Sequence, residues 1–212
     1  MAKKRISWRN RRVSTRLIRN IITVYHSATS EERVEGLFWY QTAHNDAMAL
    51  ATRHGVTLEQ AIGVIAALSP GREWGMNLLD ADKLIGAFVN GRPTPTVGTY
   101  GRKNVNKALD ILRGNAPLDV LPPTGPKVRA FYALILNPDA PDGTPCVDRH
   151  AKAIALGKVL PESDVAVAVA HYTWYAVHYV EASKALGLLP HQVQAITWLA
   201  WRRAKGNDEI PF

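Results

Sequence analysis

Along most of this 212-residue chain, apolar positions recur at the three-and-four spacing that places them on one side of a helix. Val13, Leu17, Ile18, Ile21, Ile22 and Tyr25 form the first such stripe. Ser30, followed by Glu31 and Glu32, starts a second helix, with acids where the helix dipole favours them, and that helix stops near Gly55. Thr57 and Gln60 have capping-box spacing ahead of the buried run AIGVIAAL, which stops at Ser69-Pro70-Gly71. Trp74 opens the next helix, NLLDADKLIGAFVNG, and a Pro/Thr-rich loop from Arg92 to Thr99 precedes NVNKALDILRG. Pro122, Pro123, Gly125 and Pro126 cannot continue a helix, because proline lacks the N–H and Gly125 tolerates positive φ. VRAFYALIL then runs to Asn137-Pro138, and Asp148 leads into AKAIALG, with Gly157 as the C-cap. Pro161 to Asp164 is predicted to start a helix through the Val/Ala alternation at 165–169 and on past Tyr179. Pro190 opens the last helix, VQAITWLAWRRAKG. The predicted fold class is all-α.

Composition narrows the setting. No apolar run reaches the length of a membrane span and no signal-peptide core follows the basic N-terminus, so the expectation is a cytoplasmic protein with no membrane partner. Cys146 is the only cysteine, which excludes an intramolecular disulfide and a cysteine-rich metal site. His171 and His178 lack a third ligand, so no metal and no cofactor is expected. The formal net charge of +8 is concentrated at the start, where Lys3, Lys4, Arg5, Arg9, Arg11, Arg12, Arg16 and Arg19 occur without an acid. Residues 1–12 therefore read as a flexible basic arm suited to a polyanion, and nucleic acid is the polyanion in view. Residues 206–212 read as a tail.

Two stretches carry candidate chemistry. The first is Leu121-Pro122-Pro123-Thr124-Gly125-Pro126-Lys127-Val128-Arg129-Ala130, followed 21 residues after Lys127 by Asp148, within Val147-Asp148-Arg149-His150. A lysine in the first turn of a helix is pushed towards its neutral, nucleophilic form if it is also partly buried. These residues resemble the LPGxGxK and VDxH segments of the helix-hairpin-helix DNA glycosylase superfamily that includes the endonuclease III type. The resemblance spans roughly residues 60–157. It implies a two-lobed helical fold over residues 13–205, with a central lobe at about 70–148 and a second lobe from 13–69 plus 149–205. It also implies that Lys127 is the Schiff-base lysine and Asp148 the catalytic aspartate. Backbone N–H groups of the hairpin at Thr124 and Gly125 would meet DNA phosphate, and Arg149 and His150 would lie at the DNA. Pro123 replaces the first hairpin glycine, which removes one N–H, and the four cysteines of an iron–sulfur cluster are missing.

The second stretch is SPGREWGMN, Ser69 to Asn77. In the resembled family an LSxQ turn and a following helix with an Asn face the DNA and the extruded base. Ser69, Arg72, Trp74 and Asn77 are the corresponding candidates, Trp74 for stacking and Asn77 for a base edge or for ordering the aspartate. Pro70-Gly71-Arg72 departs from that pattern. Tyr100 and Lys103 match a Tyr-x-x-Lys turn and are candidates for DNA contact. The bland alternatives are a core Trp, a surface Asn and, for Asp148, a plain N-cap. The resemblance further implies DNA as partner and a flipped modified pyrimidine as substrate. Diverged bacteriophage members of the superfamily, proposed to act in thymidine hypermodification, would add an amine or amino-acid co-substrate. The expected function is a DNA-base-acting enzyme, either of that kind or a glycosylase/lyase. The alternatives are a non-catalytic DNA-binding relative and, with no resemblance assumed, an all-α nucleic-acid-binding or assembly protein.

Overall fold

The computed structural model describes residues 11–99, 101–164, 166–207 and 211. Residues 1–10 of the arm expected at 1–12, Tyr100, Val165 and most of the proposed tail lie outside the described residues, while Arg11 and Arg12 are not arm but the start of the first helix. Among those described, the chain is all-α, with no strand. Its helices are α1 (Arg11–Ser27), α2 (Ser30–His54), α3 (Leu58–Leu68), α4 (Trp74–Val89), α5 (Arg102–Leu112), α6 (Pro117–Val120), α7 (Pro126–Leu136), α8 (Arg149–Leu156), α9 (Val169–Leu186) and α10 (Pro190–Gly206). No described helix is long and apolar enough to cross a membrane.

The chain forms two compact units. The terminal unit takes the chain up to Leu37 and from Val147 onward, and the central unit takes Phe38–Cys146. In the central unit, α3 is apolar all round and buried from Ala61 to Leu68. A helix of that kind has to be enclosed on every side, and α4, α5, α6 and α7 enclose it. The lobe boundary expected from the sequence at 69/70 is therefore misplaced: α3 belongs with the central helices because its whole surface is packed by them. The capping box of Thr57 and Gln60 is present, and the Gln60 amide also donates to the carbonyls of Ile111 and Leu112, the open end of α5. His44 Nδ1 lies 2.8 Å from the Ile135 carbonyl, joining α2 to α7.

In the terminal unit, α1 packs on α8, α9 and α10. Its buried face is Leu17, Ile21 and Val24, while Ile18, Ile22 and Tyr25 are half-buried, so the stripe is turned from the predicted one. The fully buried Tyr179 of α9 and Trp201 of α10 add the largest side chains to this core. Gly36 is required where α2 crosses α10, since a Cβ there would sit 2.6 Å from Ile196 Cα.

α2 starts at Ser30 as expected and is capped by Thr29, whose Oγ1 accepts the Glu32 N–H at 3.2 Å while Glu32 Oε2 accepts the Thr29 N–H at 2.9 Å. Two local predictions are corrected. Gly125 has φ −110°, so the turn before α7 needs no left-handed residue; its N–H closes a turn on the Pro122 carbonyl at 2.8 Å. The helix predicted from residue 165 begins only at Val169, after a 3-10 turn at Glu162–Asp164. The reason is the buried Lys152 ammonium, which donates to the Asp164 carboxylate and carbonyl and to the Ala166 carbonyl at 3.0 Å. Those carbonyls satisfy the cation and are lost to a helix.

Candidate functional site

Lys127 occupies the first turn of α7, directly after Pro126 at the first helical position, and is half-buried. No hydrogen bond or ion pair to another described residue of its unit engages its ammonium group. The Cys146 thiol donates to the Lys127 carbonyl at 3.7 Å, which brings the end of the 137–146 loop back to the start of α7. Arg129 donates to the carbonyls of Leu118 and Leu121, both at 2.7 Å, and ties the turn and α6 to the same helix.

Phe131 lies one turn beyond Lys127 on the same face of α7. It meets two indoles of the central unit: Trp74 at 6.2 Å in a T-shaped contact and Trp39 at 5.9 Å. Trp39 and Trp74 are themselves 5.2 Å apart. All three rings are half-buried, so each keeps an accessible part. The Trp74 indole N–H donates to Asp46 Oδ2 at 3.2 Å, which fixes the ring's direction. Trp74 is thus part of an aromatic cluster, backed by the buried Tyr40, whose other accessible rings are Trp39 and Phe131. The sequence reading missed those two because the cluster joins α2, α4 and α7 across long stretches of chain.

The other predicted contacts of this unit have local structural partners. Ser69 Oγ donates to the Ala66 carbonyl at 2.9 Å and closes α3. Arg72 Nε donates to Asp80 Oδ2 at 2.6 Å, and the Gly98 N–H donates to the same oxygen at 3.1 Å. Arg72 therefore anchors the 92–99 loop. Asn77 is 1% exposed, its amide donates to the Ile65 carbonyl at 3.1 Å, and its Oδ1 is buried without a described partner. Lys103 and Thr124 are exposed. The Gly125 N–H is taken by Pro122 and prolines 123 and 126 have none, so the hairpin retains few of the amides the resemblance implied for phosphate.

In the terminal unit, Asp148 is the N-cap of α8, its Oδ1 accepting the Ala151 N–H at 2.8 Å. Its Oδ2 has no described hydrogen bond within the unit. Two tyrosines of α9, seven residues apart, hold the backbone on either side of it. Tyr172 Oη accepts the Val147 N–H at 3.0 Å, and the Tyr179 hydroxyl donates to the Ala151 carbonyl at 3.2 Å. Burial holds the Tyr179 phenol far above its ordinary range, so it remains a donor. Arg149 is exposed, and its Nε lies 3.4 Å from His150 Nε2. Burial lowers the His150 pKa, as do the cations Arg149, Lys205 and Arg202, against the opposing pull of Asp148.

Fold and local geometry thus define an all-helical protein with a first-turn lysine beside an aromatic cluster in one unit and a tyrosine-braced aspartate in the other. The chain matches over residues 3–205, and belongs to, a family of unknown function, DUF7178. No curated protein and no solved structure matches it.

Proposed function

We propose that this chain is a DNA-base-acting enzyme of the helix-hairpin-helix glycosylase-like type, with Lys127 as nucleophile and Asp148 as the assisting carboxylate. The observation that carries the reading is the placement of Lys127. It is half-buried and free of described partners in its own unit, it begins a helix, and it sits one turn from a partly open cluster of three aromatic rings. A nucleophilic amine next to stacking surfaces suits attack on a nucleotide drawn out of a helix.

In the glycosylase form of the reaction, the neutral Lys127 amine forms a bond to C1′ as the bond from C1′ to the base breaks. The base leaves with the electron pair and takes up a proton, and the Asp148 carboxylate accepts a proton from the new ammonium. In the hypermodification form, an amine co-substrate displaces an activated leaving group from the 5-methylene of a pyrimidine, with the same two residues in attendance. DNA is the partner in both, and the positive net charge makes its binding fall with salt.

A specific observation also favours the non-catalytic relative: Ser69, Arg72 and Asn77, which the resemblance puts at the DNA, are engaged in local structure. Borohydride trapping on duplexes carrying uracil, oxidised bases, abasic sites or 5-hydroxymethyluracil separates these readings. The expected result is a covalent adduct lost in Lys127→Ala, or a changed pyrimidine 5-substituent when amines are supplied. DNA binding with neither product favours the non-catalytic protein, and no binding at low salt removes DNA from the account.

A further inference from the structure

The terminal unit contains a cleft of about 270 Å³ between the start of α8, the 157–162 connection and the end of α10. Its charged groups are Arg149, Lys205 and Glu162, all exposed. Opposite charges facing one small cleft would be expected to pair. Here neither cation forms an ion pair with Glu162 or with any other described residue. The polar walls are thus available, two cations to one carboxylate. The remaining surface is apolar or aromatic: Leu160 and Trp201 are buried behind it, and the His150 ring forms one side. Arg202 is stacked 4.6 Å over the Trp198 ring, which in turn meets His150 edge-on at 6.5 Å. That stack adds positive charge behind the imidazole.

We propose that this cleft binds a small phosphate monoester carrying a neighbouring hydroxyl, of the sugar-phosphate class. The phosphate is held by Arg149 and Lys205, and Glu162 accepts the hydroxyl hydrogen. The guanidinium and ammonium supply charge-assisted donors for phosphate oxygens. A carboxylate in the same cleft repels a bare anion but rewards a ligand that brings a donor beside its phosphate, as a sugar does. The volume suits a compact molecule better than an extended one. The resemblance assigns Arg149 and His150 to DNA; the cleft gives them a separate ligand, and this inference stands without the DNA reading.

The test is calorimetric titration of the full chain with ribose 5-phosphate, inorganic phosphate, ribose and a short DNA duplex. Ribose 5-phosphate is expected to bind saturably, ribose not at all. Arg149→Gln and Lys205→Gln should each weaken ribose 5-phosphate about tenfold. Glu162→Gln should weaken ribose 5-phosphate while strengthening inorganic phosphate, a pair of opposite responses that loss of folding would not produce. Lys127→Ala should leave the binding unchanged, so failure here and failure of the DNA reading are told apart. The proposal is overturned if ribose 5-phosphate does not saturate at millimolar concentration, if the Arg149 and Lys205 variants bind it as well as the original, or if only the duplex is lost in those variants.

Discussion

Asp148 caps α8 and is also the proposed assisting carboxylate, and its chemistry allows the two roles to be separated. As N-cap it needs one acceptor oxygen on Ala151; as the assisting carboxylate it needs a negative charge. Asparagine keeps the first and loses the second. Asp148→Asn should therefore change stability by only a few tenths of a kcal/mol, whereas Asp148→Ala should lose about 1 kcal/mol, both read by urea denaturation. If Asp148 is catalytic, both variants lose turnover on DNA alike; turnover that follows stability alone makes it a cap and nothing more. Arg72 shows the reverse pattern. Its partner Asp80 is 2% exposed, so Arg72→Ala leaves a buried carboxylate with the Gly98 N–H as its remaining described partner. The expected loss is about 3 kcal/mol in a denaturant melt. At this scale the sequence exposed Lys127 and Asp148 through local motifs. It hid Trp39, Phe131, Tyr172 and Tyr179, because aromatic residues at helical spacing look the same whether they fill a core, brace a loop or line an opening.

Helices announced themselves wherever their own ends carry the signal. The Thr57–Gln60 box, the proline start of α10 and the glycine end after α8 follow from local geometry, and the structure contains each. Prediction failed where a distant side chain overrides local preference. The stretch before Val169 has helix-compatible sequence, but the Lys152 ammonium claims the carbonyls of Asp164 and Ala166 from twelve and fourteen positions away. Gly36 is another case, since nothing in VEGLFWY shows that Ile196 will cross there. Gly36→Ala should destabilise the protein by about 3 kcal/mol, because the obstructing atoms include backbone that cannot rotate aside. A thermal melt of that variant unchanged from the original would mean that α2 and α10 do not approach so closely.

For the molecule as a whole, imidazoles enclosed during folding contribute to acid sensitivity. Burial lowers the pKa of both His178 and His150; the bond to the Trp174 carbonyl opposes this at His178, and Asp148 opposes it at His150. In each case the folded pKa lies below the unfolded value of about 6.5. The unfolded chain then takes up protons that the fold refuses, so stability is full above that value and declines as pH falls below it towards the folded pKa. Melting temperature followed over about pH 5 to 8 should fall on the acid side, and His178→Gln should flatten part of that fall. A profile identical to the original would remove His178 as a contributor.

By itself the sequence determined the all-α class, most helix boundaries and the positive charge, because caps, breakers, periodicity and net charge act over a few residues or none. It also determined that Lys127 begins one helix and Asp148 another, since a proline-rich turn and a capping aspartate are local events. Only the tertiary structure decided which units the helices join, that α3 is the enclosed helix of the central one, and that three rings from α2, α4 and α7 meet beside Lys127. It alone brought Arg149, Glu162 and Lys205 around one cleft. These arrangements depend on contacts between residues tens of positions apart, whose partners are chosen by packing and not by the neighbouring sequence.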